Sequence, residues 1–220
     1  MGLAPSRPDV LITAVPQPAA SGVHLPNVAP EANAVAAAYG SRAETLLDIS
    51  FADLDAALAG RTTWCFAGHG DALLAGEYVP AFVQHGNIES VSLRALAETV
   101  RRHAVDGGLR LVVLTGCKTL ALGRALLEQA CVPCVVCWNS MLEDEAGQLF
   151  GIAFANATAA GDEPRDAFDA ACRAVETLRG GEEDTQAIAE EERKEKERKA
   201  KRRAKVHSFL SFHLKSEIFS

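Results

Sequence analysis

Four short apolar runs constrain this chain more than any other feature. They cover residues 9–15 (Asp-Val-Leu-Ile-Thr-Ala-Val), 62–66 (Thr-Thr-Trp-Cys-Phe), 109–114 (Leu-Arg-Leu-Val-Val-Leu) and 134–138 (Cys-Val-Val-Cys-Trp). None alternates polar with apolar residues along its length, as a half-exposed strand would. They therefore read as strands buried on both faces, with a shorter candidate strand at 45–47. Stretches of helical character separate them. Repeated strand–helix units of this length require a largely parallel sheet covered by helices on both sides, which makes the fold class α/β.

The helix boundaries carry their own signals. Pro30 suits the first turn of a helix running to Tyr39, and Gly40 suits its end. Ser50 with Asp53 resembles a capping box opening a helix over 51–59, closed by Gly60. Ser92 caps a helix to about His103, with Leu93, Leu96, Ala97 and Val100 on one face. Residues 72–91 read as irregular, with a small hairpin around Gly86-Asn87. Helices are expected over 119–130, 143–160 and 164–179. The globular domain is expected to span 1–181. A tail of Glu, Lys, Arg and Ala follows over 182–205, helical or disordered and solvated. The segment 206–220 holds Phe209, Phe212, Leu214, Ile218 and Phe219 in no clean period. It fits either a short docking helix or part of a longer protein, and its role is open.

Apolar residues make up 48% and charged residues 23%, so the chain can bury a core without disulfides or metal. The six cysteines are unevenly spaced and follow no signal sequence, as expected of reduced thiols in an intracellular, chiefly cytoplasmic protein. No apolar run reaches the length of a membrane helix. The net charge of −7 is uneven: 182–205 carries eight acidic and nine basic residues, leaving the globular part acidic. That balance argues against nucleic acid as the main partner. The basic cluster at 199–205 leaves a nuclear address open.

Open parallel sheets place chemistry at the carboxyl ends of their strands, where the loops converge. Two such ends carry reactive side chains, His69 after the second long run and Cys117 after the third. Each is flanked by glycine, in His69-Gly70 and Gly116-Cys117. A thiol works as a nucleophile only as thiolate; an imidazole supplies the base, and a following helix N-terminus lowers the thiol pKa. A helix is expected directly after Cys117, with Lys118 adding a positive neighbour. The amides of Cys117 and Gly70 are candidates to hold an oxyanion, with Gly116 giving backbone access. Cys131, Cys134 and Cys137 have metal-like spacing. Within a strand, though, Cys134 and Cys137 point to opposite faces, so core thiols are the expectation. Neither a metal nor an organic cofactor is implied.

Four segments in order resemble the CHAT domain: the 64–70 run Trp-Cys-Phe-Ala-Gly-His-Gly; the 111–119 run Leu-Val-Val-Leu-Thr-Gly-Cys-Lys-Thr; the 132–138 run Val-Pro-Cys-Val-Val-Cys-Trp; and 143–146, Glu-Asp-Glu-Ala. The CHAT domain belongs to the caspase–separase group of cysteine peptidases. The resemblance covers about 9–180 and implies a caspase-like three-layer sandwich with a mostly parallel central sheet. It further implies His69 as general base and Cys117 as nucleophile in peptide-bond hydrolysis. Substrate-binding roles follow for Thr115, Trp138, Glu143 and Asp144. The last two are candidates to select a basic residue before the scissile bond, or simply to favour a helix N-terminus. Three positions depart from the family pattern: Gly116 stands where Ala is commoner, Lys118 where Glu is usual, and Leu120 where Gly is usual. The expected partner is a protein or peptide substrate, with a regulatory protein or a second copy of the chain as further candidates. The rival reading is a catalytically silent CHAT-like interaction or signalling module. A Rossmann-like nucleotide binder has the right layers but no glycine fingerprint after the first strand.

Overall fold

A computed structural model describes residues 8–16, 25–70, 72–139, 144–181 and 210–214. The first run forms β1 (Val10–Val15), buried at every position. Next come α1 (Val28–Tyr39), β2 (Ala43–Leu47), α2 (Phe51–Leu58) and β3 (Thr63–Gly68). Then the chain forms two hairpins, β4 (Ala72–Leu74) with β5 (Glu77–Val79) and β6 (Ala81–Gln84) with β7 (Asn87–Ser90). After these follow α3 (Leu93–Val105), β8 (Leu111–Thr115), α4 (Leu120–Glu128), β9 (Cys134–Trp138), α5 (Asp144–Ala160), α6 (Pro164–Gly181) and β10 (Leu210–Leu214).

The central sheet has the order β10-β9-β8-β3-β1-β2, all parallel except the last pair, β9 with β10. The expected three-layer α/β sandwich with a mostly parallel sheet is therefore the observed fold. Strand alternation divides the core into two clusters, one on each face. Leu11, Trp64, Phe66, Val112, Leu114 and Cys137 face the side of α2, α3 and α4. Ile12, Cys65, Val113, Cys134, Val136 and Trp138 face the side of α1, α5 and α6. Cys134 and Cys137 thus lie on opposite faces, as their spacing requires. Two of the polar groups drawn into this interior show how it is tied together. Trp64 Nε1 donates to Thr13 Oγ1 at 2.9 Å. The fully buried Arg61 donates to the carbonyls of Ala57 and Pro8 and pairs with Glu44, tying the start of β1 to β2 and to the end of α2.

The cap signals are realised in full. Ser50 Oγ accepts from Asp53 N at 3.2 Å and donates to the Asp53 carboxylate at 2.6 Å, while Ser92 Oγ accepts from Ala95 N at 3.2 Å. Three expectations are corrected. Residues 72–91 form two hairpins rather than one. Each turns on two residues of positive φ, Ala75-Gly76 and His85-Gly86, as a type I′ turn requires. The 206–220 segment contributes a strand instead of a helix, because β9 offers an unpaired edge that only an extended chain can satisfy. The helix after Cys117 starts later than expected, at Leu120. The charged tail over 182–205, expected to be helical or disordered, lies outside the described residues. Among the described residues, no helix is long and apolar enough to cross a membrane.

Candidate active site

The ladder between β3 and β8 has a constant offset of 48 residues, from Thr63 opposite Leu111 to Ala67 opposite Thr115. His69 and Cys117 are separated by the same 48 positions. Each follows the last residue of this ladder by two, so both leave the sheet side by side at its carboxyl edge. Two glycines let the emerging loops touch. A Cβ on Gly116 would sit 2.7 Å from the Gly68 carbonyl oxygen, and one on Gly70 would sit 2.4 Å from the Cys117 carbonyl oxygen. Neither contact leaves space for a side chain.

His69 is buried, at 4% exposure, and Cys117 is half-buried. The His69 carbonyl accepts from Ala81 N at 2.9 Å, which anchors the histidine loop to the start of β6. Thr119 performs the matching task on the other side. It is buried; its Oγ1 donates to the Gly116 carbonyl at 3.2 Å and accepts from Trp138 N at 3.0 Å. One hydroxyl therefore fixes the cysteine turn to the end of β9. Sequence reasoning passed over Thr119; the available signal was a hydroxyl two residues after the candidate nucleophile, at a helix start.

Cys117 lies in a turn three residues ahead of α4, with Lys118 in the left-handed region at φ 53°. The helix N-terminus is thus more distant than expected, and its field falls off within about a turn. Lys118 does not point freely at the thiol: its Nζ lies 2.7 Å from Tyr78 Oη and 4.0 Å from the Tyr78 ring centroid. The residue after Cys117 is therefore joined to β5, in the hairpin that follows His69. Leu120 packs against the core on the α3 and α4 side.

The expected substrate-binding residues fall differently. Thr115 is buried, and its hydroxyl lies 2.7 Å from Glu31 Oε1 and 3.0 Å from the Phe66 carbonyl, committed inside the fold. Trp138 is also buried; its ring meets Phe150 edge-on at 5.1 Å, and its Nε1 has no hydrogen-bond partner among the described residues. Glu143 lies outside the described residues, and Asp144 begins α5. Burial pushes the thiols of Cys65, Cys134 and Cys137 up to about 12 and that of Cys172 up to about 11. Among the described residues, no three His, Cys, Asp or Glu side chains group as metal ligands would.

The family model for the CHAT domain matches residues 3–206. The chain belongs to the CHAT domain family. Among solved structures, this CHAT domain is similar to the Arg-specific cysteine proteinase gingipain R, at 9% identity with a TM-score of 0.49. The match covers 76% of this chain and 41% of that proteinase, so the CHAT domain here spans less than half of its length. No curated protein matches the sequence.

Proposed function

We propose that this CHAT domain is a cysteine endopeptidase in which Cys117 is the nucleophile and His69 the general base. The observation that carries the reading is the shared 48-residue offset, which brings both residues out of neighbouring strands at one edge of the sheet. The touching backbones at Gly70 and Cys117 support it further. Cys117 thiolate attacks the scissile carbonyl, and the developing oxyanion is held by backbone amides at Cys117 and Gly70, with Gly116 keeping the approach open. His69 passes the thiol proton to the leaving amine, which leaves a thioester on Cys117. Water, deprotonated by His69, then releases the acyl group. Glu143 and Asp144 are the proposed selectors of a basic residue before the scissile bond. The substrate is a protein or peptide, and neither metal nor organic cofactor enters the chemistry.

The test is the rate of iodoacetamide alkylation at each of the six thiols as a function of pH, in the wild type and in His69→Ala. The reading expects Cys117 to react far faster than the half-buried Cys131 near neutral pH, and expects His69→Ala to remove that advantage. Peptides with Arg or Lys before the scissile bond should then be cut in preference to those with Asp. If Cys117 behaves like Cys131 in the wild type, the peptidase reading fails and the silent interaction module replaces it.

A further inference from the structure

Glu31 sits in the first turn of α1, on the same face as Val28, Ala32, Val35 and Tyr39, and is buried to 4% exposure. A carboxyl on the apolar face of a helix is costly unless the neighbouring layer offers it a partner. Here the sheet does so, with Thr115 Oγ1 at 2.7 Å from Glu31 Oε1 and at 3.0 Å from the Phe66 carbonyl. The helix layer leaves room for the carboxyl at Gly151 of α5, where a Cβ would lie 2.5 Å from Oε1. A cavity of about 10 Å3 adjoins it, room for about one water, lined by Glu31, Ile12, Cys65, Thr115 and Phe154 among others. Cys65 from β3 is the titratable side chain facing the carboxyl in that cavity. Its thiol is pushed up to about 12, first by burial and then by the negative charge of Glu31. The lining residues from β1, β8 and α5 carry no charge.

Building on the Cys117–His69 reading, we propose that Glu31 is a positioning residue for that pair, acting through Thr115. Thr115 is the last paired residue of β8 and stands two positions before Cys117. Phe66 stands three positions before His69, on the adjacent strand. The one hydroxyl proton of Thr115 is shared between the Glu31 carboxyl and the β3 carbonyl, a three-centre clip across the two strands, directly beneath the loops they feed. The clip fixes the spacing of the strand ends from the helix side, as Thr119 fixes the cysteine turn from the β9 side. Without it the strand ends gain freedom, and fewer molecules hold imidazole and thiol in the geometry that favours the thiolate.

The experiment measures Cys117 alkylation by iodoacetamide against pH, resolved by mass spectrometry, in the full chain and four variants, with a thermal melt for each. Thr115→Val keeps the side-chain shape and removes the hydroxyl; Glu31→Ala removes the acceptor. Each should slow Cys117 near pH 7 about tenfold, the scale of one lost buried hydrogen bond, and move the midpoint of its pH profile upward. Glu31→Gln retains an oxygen that accepts from Thr115 and should stay within about twofold of the wild type. The Glu31→Ala, Thr115→Val double variant should be no slower than either single one, because both remove the same clip. Lowered melting temperatures with an unchanged pH profile would overturn the proposal and leave Glu31 a structural residue. A wild-type Cys117 no faster than Cys131 would instead overturn the dyad reading and the clip with it. If Glu31→Ala does not fold, the near-isosteric Thr115→Val decides the matter alone.

Discussion

Replacing Gly70 by Ala is the sharpest test of the backbone contact beside the candidate dyad. The added Cβ would lie 2.4 Å from the Cys117 carbonyl oxygen and 2.6 Å from Thr119 Cγ2, whereas ordinary contact begins near 3.4 Å. The first neighbour is backbone and cannot rotate away, so the histidine and cysteine loops must part by about 1 Å. Overpacking of this kind costs about 1–3 kcal/mol of stability. A displacement of about 1 Å at reacting groups costs up to about a hundredfold in rate. Gly70→Ala should therefore slow Cys117 alkylation, and cleavage of any peptide substrate, by one to two powers of ten in protein that still melts cooperatively. Gly161→Ala is the control. Gly161 has φ +101° but nothing within 4 Å of a Cβ, so that variant should lose about 1 kcal/mol and no reactivity. A folded Gly70→Ala protein with wild-type Cys117 reactivity would refute the argument that the touching loops hold the pair together.

Further outcomes can be checked separately. At pH 8, Cys65, Cys134, Cys137 and Cys172 should alkylate at least about a hundredfold more slowly than Cys131 in native protein and match it in denaturant, because burial holds them as neutral thiols. Ser50→Ala should lower unfolding free energy by about 1 kcal/mol in urea titrations, through loss of the cap on α2. The Arg42 hydrogen bonds hold the Asp9 carboxyl below its ordinary value of 3.8. The contribution of Asp9 is therefore complete above about pH 4 and is lost as the pH falls through the depressed folded value. Asp9→Asn should abolish that part of the acid sensitivity, a difference of at most about 1 kcal/mol for so exposed a pair, read by melting at pH 7 and pH 3. Arg61→Ala should destabilise by about 3 kcal/mol in the same assay, since it empties a buried site that joins β1, β2 and α2.

The parts of the fold that were legible in the sequence are those whose information is local. β1, β3, β8 and β9 announce themselves as apolar runs because both of their faces are buried, and Ser50 and Ser92 announce helix starts because the cap bond spans three residues. The two hairpins over 72–90 were partly hidden. Their turns use Ala75 and His85 at positive φ, positions usually marked by Gly, Asn or Asp, so only Gly76 and Gly86 signal them. β10 was illegible for the opposite reason: its pairing is decided by the vacant edge of β9, far away in sequence. At the site, His69 and Cys117 could be picked out by their glycine neighbours and strand-end positions. The 48-residue gap between them acquired a physical meaning only when it proved to be the register of the ladder. Glu31 was open to discovery, since it interrupts the 28, 32, 35, 39 apolar stripe of α1. Its partner Thr115 lies on another strand, and no helical period can point to it.

The antiparallel pairing of β10 with β9 has a consequence for how the chain is made. Leu210 is opposite Trp138, so 71 residues are synthesised between the two halves of that pairing. At about 5–20 residues per second, the backbone groups along the outer side of β9 wait on the order of ten seconds for their intended neighbour. During that interval the nascent sheet ends in a short apolar strand, Cys-Val-Val-Cys-Trp, with an open hydrogen-bonding edge. A ribosome-bound chain that stops short of β10 should therefore associate with chaperones or with itself far more readily than one that includes it. Stalling sequences placed before and after residues 210–214 would make the timing of that closure visible.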